Sequence, residues 1–191
     1  MKNGSRFTLF EMVLTAIFIA LTVLSARINV AIGPIPMTFQ SMVVILAGIL
    51  LGPKRGWMVP MLYLVMGLAG LPFFSTGGGL GYLFKPTFGF LIGFIPAAWS
   101  AGAVYQMPVI KSDQVRCFVG ALSALIFMYG VGLLYIPFGA MVYGNDLAAW
   151  SAIVSTLPLM IVGDLIKSFA LTLVVPVLMR ELKATQAMFQ S

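Results

Sequence analysis

Leu9-Phe10-Glu11-Met12-Val13-Leu14-Thr15-Ala16-Ile17-Phe18-Ile19-Ala20-Leu21-Thr22-Val23-Leu24-Ser25-Ala26 carries a single charged side chain and lies between Arg6 and Arg27. An α-helix needs about 20 apolar residues to cross a hydrocarbon layer about 30 Å thick, and this run meets that requirement. A basic start followed by an apolar run also describes a secretory signal peptide. No convincing small-residue cleavage site follows Ala26, however, and five more apolar segments downstream need an anchor ahead of them. The stretch therefore reads as the first transmembrane helix, and with it the whole chain reads as a multi-pass membrane protein.

Working outward, with Gly, Pro and charge as punctuation, the next segments run from about Met37 to Leu51, Gly56 to Gly70, Phe88 to Tyr105 and Val115 to Ile136. A sixth lies within Leu147 to Met179, which is long for one untilted span and contains Pro158. Pro158 is expected in the first turn of that helix, where a missing N–H does no harm, with Leu147 to Thr156 outside or at the interface. The expectation is an all-α, six-transmembrane-helix bundle forming one domain over residues 1–191.

Composition agrees. The chain is 61% hydrophobic and 8% charged, and its mean hydropathy is +1.06, too apolar to coat a globule of this mass in water. A net charge of +6 would suggest nucleic acid in a soluble protein. Here the basic residues sit at the ends of apolar segments, which is a topology signal and points to a lipid bilayer, with no nucleic-acid partner. With six spans, Lys2, Arg6, Lys54, Arg55, Lys111, Arg116, Arg180 and Lys183 fall on one side, eight of the eleven basic residues, against Arg27 and Lys85 on the other. The positive-inside rule makes the first side cytoplasmic, with both termini on it, as expected for a cell (plasma or inner) membrane protein. A single cysteine, Cys117, and no histidine leave little for thiol, imidazole or zinc chemistry, so no enzyme, metal or cofactor is expected.

Asp164 and Lys167, in Gly163-Asp164-Leu165-Ile166-Lys167-Ser168, lie inside the last apolar segment. Each such charge costs roughly 2.5 to 3.5 kcal/mol at a helix centre, which calls for a cavity, a partner or a function. One reading is an i,i+3 pair that merely neutralises itself. The other is a polar ligand site, about 9 Å inward of Pro158 at 1.5 Å per residue.

The outer loop between the third and fourth segments reads Ser75-Thr76-Gly77-Gly78-Gly79-Leu80-Gly81-Tyr82-Leu83-Phe84-Lys85-Pro86-Thr87-Phe88-Gly89-Phe90. It lacks the spacing of a phosphate loop, so the chain is expected to have no ATP site of its own. Its glycines, Gly78 and Gly79 among them, let backbone come close to a ligand, as a lid would. Lys85 offers a cation there, and Tyr82, Phe84, Phe88 and Phe90 offer flat apolar faces, although an interfacial aromatic belt would use the same rings. Gly33-Pro34-Ile35-Pro36-Met37-Thr38-Phe39-Gln40 reads as a stiff rim at the entry to the second span, with Gln40 as a hydrogen-bonding group and Thr38 as a helix cap. Ala16 and Ala20, Gly48 and Gly52, and Gly89 and Gly93 are small-residue pairs at helix-packing spacing.

Several of these stretches together resemble the BioY family, the biotin-specific substrate-binding (S) components of energy-coupling-factor (ECF) transporters. The resemblance covers most of the chain. It rests on Pro34-Ile35-Pro36-Met37-Thr38-Phe39-Gln40, on Leu46-Ala47-Gly48 through Leu51-Gly52-Pro53-Lys54-Arg55-Gly56, and on Gly67-Leu68-Ala69-Gly70-Leu71-Pro72. The glycine stretch ending in Lys85-Pro86-Thr87-Phe88-Gly89-Phe90 and the late Gly163-Asp164-Leu165-Ile166-Lys167 complete it.

The resemblance implies a six-helix fold of the S-component type that binds biotin near its outer face. It implies docking on a transmembrane coupling protein driven by two ATPase subunits, with Asp164 and Lys167 in the ligand site and Ala16 and Ala20 as an A-x-x-x-A docking motif. Some members place an Asn in the glycine loop and an Arg shortly after its proline. Here those regions read Gly77-Gly78-Gly79-Leu80 and Phe90-Leu91, which leaves Lys85 or Arg27 to supply the cation for the biotin carboxylate. Nanomolar capture would draw about 12 kcal/mol from some 16 heavy atoms, which demands a nearly closed pocket. The alternatives are a self-sufficient secondary transporter using Asp164 and Lys167 as an ion relay, or an S component for a different vitamin.

Overall fold

The computed structural model describes residues 8–32, 35–143 and 147–188. Lys2, Arg6 and the Gly33-Pro34 step of the expected rim lie outside the described residues. Six α-helices follow in order: α1 (Leu9–Arg27), α2 (Gln40–Leu51), α3 (Met58–Leu68), α4 (Phe88–Tyr105), α5 (Asp113–Tyr143) and α6 (Leu147–Met188). A small antiparallel hairpin, β1 (Asn29–Ile32) and β2 (Ile35–Thr38), joins α1 to α2, and a 3₁₀ turn (Leu80–Phe84) precedes α4.

Among the described residues, four helical stretches are long and apolar enough to cross a membrane: Leu9–Arg27, Phe88–Tyr105, Asp113–Gly139 and Val154–Leu182. The expected bundle of six helices is present among the described residues, with α2 and α3 its shorter apolar members: their 12 and 11 residues reach about 18 and 17 Å at 1.5 Å per residue. Met37 and Thr38 belong to β2 and not to α2, because a Pro-x-Pro sequence favours extended backbone. Pro158 does not open α6. It lies eleven residues inside a helix that begins at Leu147, since one lost backbone hydrogen bond does not end a helix whose flanks are strongly apolar and whose neighbours can accommodate the freed carbonyl.

In α6 the buried residues Met160, Asp164, Ser168, Leu171 and Val175 recur every three or four positions and face the bundle. Ile161, Val162, Leu165, Ile166, Phe169 and Leu173 point outward. Asp164 and Lys167, the charged pair within the apolar part of the helix, thus sit on or beside the inward stripe, the arrangement that lipid enforces on charges. Thr22 and Ser168 close their buried hydroxyls locally: Thr22 Oγ1 donates to the Phe18 carbonyl and Ser168 Oγ to the Asp164 carbonyl, both at 2.7 Å.

Small residues set the helix contacts. A Cβ at Gly48 would collide with the backbone carbonyl of Ala98, and one at Gly93 would lie 2.7 Å from the Met128 carbonyl oxygen, so α2 meets α4 and α4 meets α5 backbone to backbone. Gly48→Val is expected to destabilise the bundle by about 1–3 kcal/mol through overpacking. A lowered thermal midpoint in detergent would register this, and an unchanged midpoint would contradict the close contact.

One end of the molecule collects the first turn of α1, the α2–α3 turn and the α4–α5 connection. There Arg55 pairs with Glu11 and a Cβ at Gly52 would touch the Gln106 side chain. At the opposite end lie the hairpin, the glycine loop and Arg27, whose guanidinium donates to the Pro72 carbonyl.

Candidate ligand-binding site

The glycine loop is a hydrogen-bonded strap. Gly79 N donates to the Gly67 carbonyl at 2.7 Å, and Phe74 and Gly77 exchange backbone bonds of 2.8 and 3.2 Å. Gly78 packs so tightly on the Leu71 carbonyl that a Cβ would collide, and Gly79 holds φ at +94°, which side chains disfavour. The strap turns Phe74 inward, fully buried, onto Tyr63 and Tyr82 with ring centroids 5.5 and 4.4 Å apart.

Beneath the strap opens a cavity lined by residues of β2, α2, the strap, α4, α5 and α6. β2 and the start of α2 contribute Thr38, Gln40 and Ser41, the strap contributes Ser75 and Tyr82, and α6 contributes Asp164 and Lys167. The rest of the wall is mostly apolar, with Phe90, Leu91 and Phe94 from α4 and Met128 from α5. A mainly apolar hollow with a few convergent polar groups is the usual form of a small-molecule site.

Asp164 and Lys167 form its polar end. Lys167 Nζ lies 2.5 Å from Asp164 Oδ1 and donates to the Thr38 carbonyl at 2.8 Å and to Ser41 Oγ at 3.1 Å. Ser41 Oγ donates to Asp164 Oδ1 and Tyr129 OH to Asp164 Oδ2, each at 2.7 Å. The self-neutralising pair and the polar site are therefore one arrangement: the two charges cancel each other and still face the cavity.

Gln40 is buried at the head of a second chain of bonds. Thr38 Oγ1 donates to Gln40 Oε1 at 3.2 Å, Gln40 Nε2 to Tyr63 OH at 2.7 Å, and Tyr63 OH to the Phe73 carbonyl at 3.2 Å. This chain ties the entry of α2 to the strap. Thr38 does not occupy the cap position expected of it. Phe39 does, without a side-chain bond, and the Thr38 hydroxyl instead receives the Gln40 N–H at 3.4 Å, because Thr38 is the last residue of β2.

Of the residues singled out from sequence, Asp164, Lys167, Gln40, Thr38, Tyr82 and Phe90 line the cavity. Gly78 and Gly79 shape the strap above it. Lys85 stands outside the wall, its Nζ 4.3 Å from the Tyr82 ring centre and 2.6 Å from Thr76 Oγ1. Arg27 is held at the strap's other edge by Pro72. Phe84 is exposed, and Phe88 is buried against Tyr135. Ala16 and Ala20 are exposed on α1, outside the cavity lining, on a face shared with Met12 and Ile17.

Ser41 and Tyr129 were not anticipated. Tyr129 carried a signal, since a phenol in mid-span must find a partner for its hydroxyl. Ser41 carried none beyond its place next to Gln40.

A model of the BioY family matches residues 1–184. "Probable biotin transporter BioY" of Lysinibacillus sphaericus is 38% identical over 142 residues, which is 74% of this chain and 71% of the relative. "Biotin transporter BioY" of Rhodobacter capsulatus is 36% identical over 139 residues, 70% of this chain and 73% of the relative. The crystal structure of the S-component for biotin from an ECF-type ABC transporter superposes with a TM-score of 0.74 at 22% identity, covering 92% of this chain and 95% of that one. That likeness shows a shared fold. Family model and relatives agree over most of the sequence, and the chain belongs to the BioY family.

Proposed function

We propose that this chain captures biotin and serves as the substrate-specific subunit of an ATP-driven ECF vitamin transporter. The observation that carries the reading is the Asp164–Lys167 pair, set in the wall of a mainly apolar cavity in a chain of the BioY family. Biotin's ureido ring brings N–H donors and a carbonyl acceptor to such a pair, while its thiophane ring and aliphatic tail suit walls of Phe90, Leu91, Phe94 and Met128. The tail's carboxylate then lies toward the mouth, where Lys85 or Arg27 supplies the cation.

In this reading residues 1–191 act as one substrate-binding domain in the cell membrane. The end that carries the Glu11–Arg55 pair, together with Lys54, Lys111 and Arg116, faces the cytoplasm, both termini with it, and the strap faces outward. The partners are a transmembrane coupling protein, docked on the Ala16 and Ala20 face, and two ATPase subunits that hydrolyse the ATP.

An ionisable pair within a span also suits an ion relay, the mark of a self-sufficient secondary transporter. Uptake of labelled biotin into proteoliposomes decides between them. Accumulation is expected only when the coupling protein, the ATPases and ATP are present. Gradient-driven accumulation by this chain alone would overturn the ATP-driven reading.

A further inference from the structure

We infer that Tyr129 is a specificity-setting positioning residue: by donating to Asp164 Oδ2 it leaves the carboxylate one open acceptor position, which selects one of the two ureido N–H groups of the ligand. The inference rests on the reading of the cavity as a biotin site.

A carboxylate offers about four acceptor positions, two on each oxygen. On Asp164, Oδ1 receives Ser41 Oγ at 2.7 Å and lies 2.5 Å from Lys167 Nζ, so both of its positions are used. Oδ2 receives Tyr129 OH at 2.7 Å, and among the described residues one position on it stays open. Asp164 is a wall residue of the cavity, so that position is the one available to a ligand.

Lys167 is equally committed. An ammonium has three hydrogens, and its neighbours Asp164 Oδ1, the Thr38 carbonyl and Ser41 Oγ provide three acceptors. It therefore acts on a ligand through Asp164, by holding the carboxylate in place, and has no hydrogen to spare unless one of these bonds opens.

Tyr129 is suited to fix an orientation. It is buried, and its ring meets Phe90 edge-on at 5.9 Å and 82°. Phe90 belongs to the cavity wall and Tyr129 does not, so the phenol stands behind the carboxylate. With Ser41 on one oxygen and Tyr129 on the other, the carboxylate plane cannot turn without breaking a charge-assisted bond. The two N–H groups of a cyclic urea diverge on either side of the carbonyl, so a carboxylate meets one at a time. A pinned carboxylate with one open position distinguishes them, whereas a freely turning one would serve either.

The test uses the purified full chain and two biotins, each methylated on a different ureido nitrogen, ranked by competition against labelled biotin. In the unaltered chain the two analogues are expected to differ in affinity by at least about tenfold, the scale of one hydrogen bond to a charged group. Tyr129→Phe keeps the ring, and is expected to weaken biotin by about tenfold and to narrow the analogue ratio to within about threefold. Ser41→Ala, which leaves only Lys167 on the other oxygen, is expected to narrow the ratio too, so a variant that fails to fold leaves the other to decide. A purely structural role would lower all three affinities by one common factor and leave the ratio standing. That result, or a ratio near one in the unaltered chain, would overturn the inference alone. Failure of the unaltered chain to bind biotin would overturn the biotin reading itself.

Discussion

Asp164→Asn is expected to weaken equilibrium biotin binding by about a hundredfold. The carboxylate is the acceptor for Ser41 and Tyr129 and the counter-charge 2.5 Å from Lys167. An amide keeps the shape, but it removes the negative charge and turns one acceptor into a donor. A hydrogen bond to a charged group is worth about 1.5–3 kcal/mol, and breaking a buried ion pair costs about 3–5 kcal/mol, partly as loss of folding stability. The binding share alone, about 2–3 kcal/mol, approaches two decades in Kd. Lys167→Ala is expected to act in the same direction, because it removes the cation beside Asp164. Isothermal titration of purified protein measures both, and unchanged affinity in both variants would remove the pair from the site.

Ala16→Trp or Ala20→Trp is expected to reduce ATP-driven uptake and co-purification with the coupling protein at least tenfold, while biotin affinity changes less than about twofold. Without a hydrophobic drive between helices in lipid, association depends on close backbone approach, and small residues four apart permit it. In α4 the glycines four apart are already used inside the bundle, Gly93 lying against Met128 and Gly89 against Tyr135. On α1 the alanines stay exposed, beside Met12, Val13 and Ile17. A bulky ring there would hold a docking helix away and reach no part of the cavity. Undiminished co-purification would move the docking surface elsewhere.

The two expectations differ in how much of their basis was legible in the sequence. Two charges inside an apolar run mark themselves, so Asp164 and Lys167 were identifiable from the cost of burying them. The donors that fix them were not. Ser41 lies 123 residues and Tyr129 35 residues away along the chain, and a lone Ser or Tyr in a membrane segment has many ordinary uses. The limits of α4, Phe88 to Tyr105, were readable because Pro86 stands before it and the polar Gln106 follows it. The limits of α2 and α6 were not, for opposite reasons. The prolines before α2 favour extended backbone strongly enough to form a hairpin, while Pro158 is overridden by the apolar flanks of α6. The glycine loop read as irregular because its order comes from contacts to Gly67, Leu71 and Tyr63, which no local pattern encodes.

The arrangement also explains how a charged pair persists at membrane depth. Each charge answers the other, the remaining bonds come from Ser41, Tyr129 and Thr38, and the lipid-facing side of α6 is left to Ile161, Leu165 and Phe169. A ligand then enters a site whose polar groups are already oriented, so little ordering is left to offset the gain from contact.

Titration of the purified chain, without partner subunits, against biotin and a panel of unrelated vitamins tests this account most directly. It predicts saturable one-site binding of biotin in the nanomolar range and no comparable binding of the others. Absence of biotin binding, or equal affinity for a chemically unrelated vitamin, would contradict it.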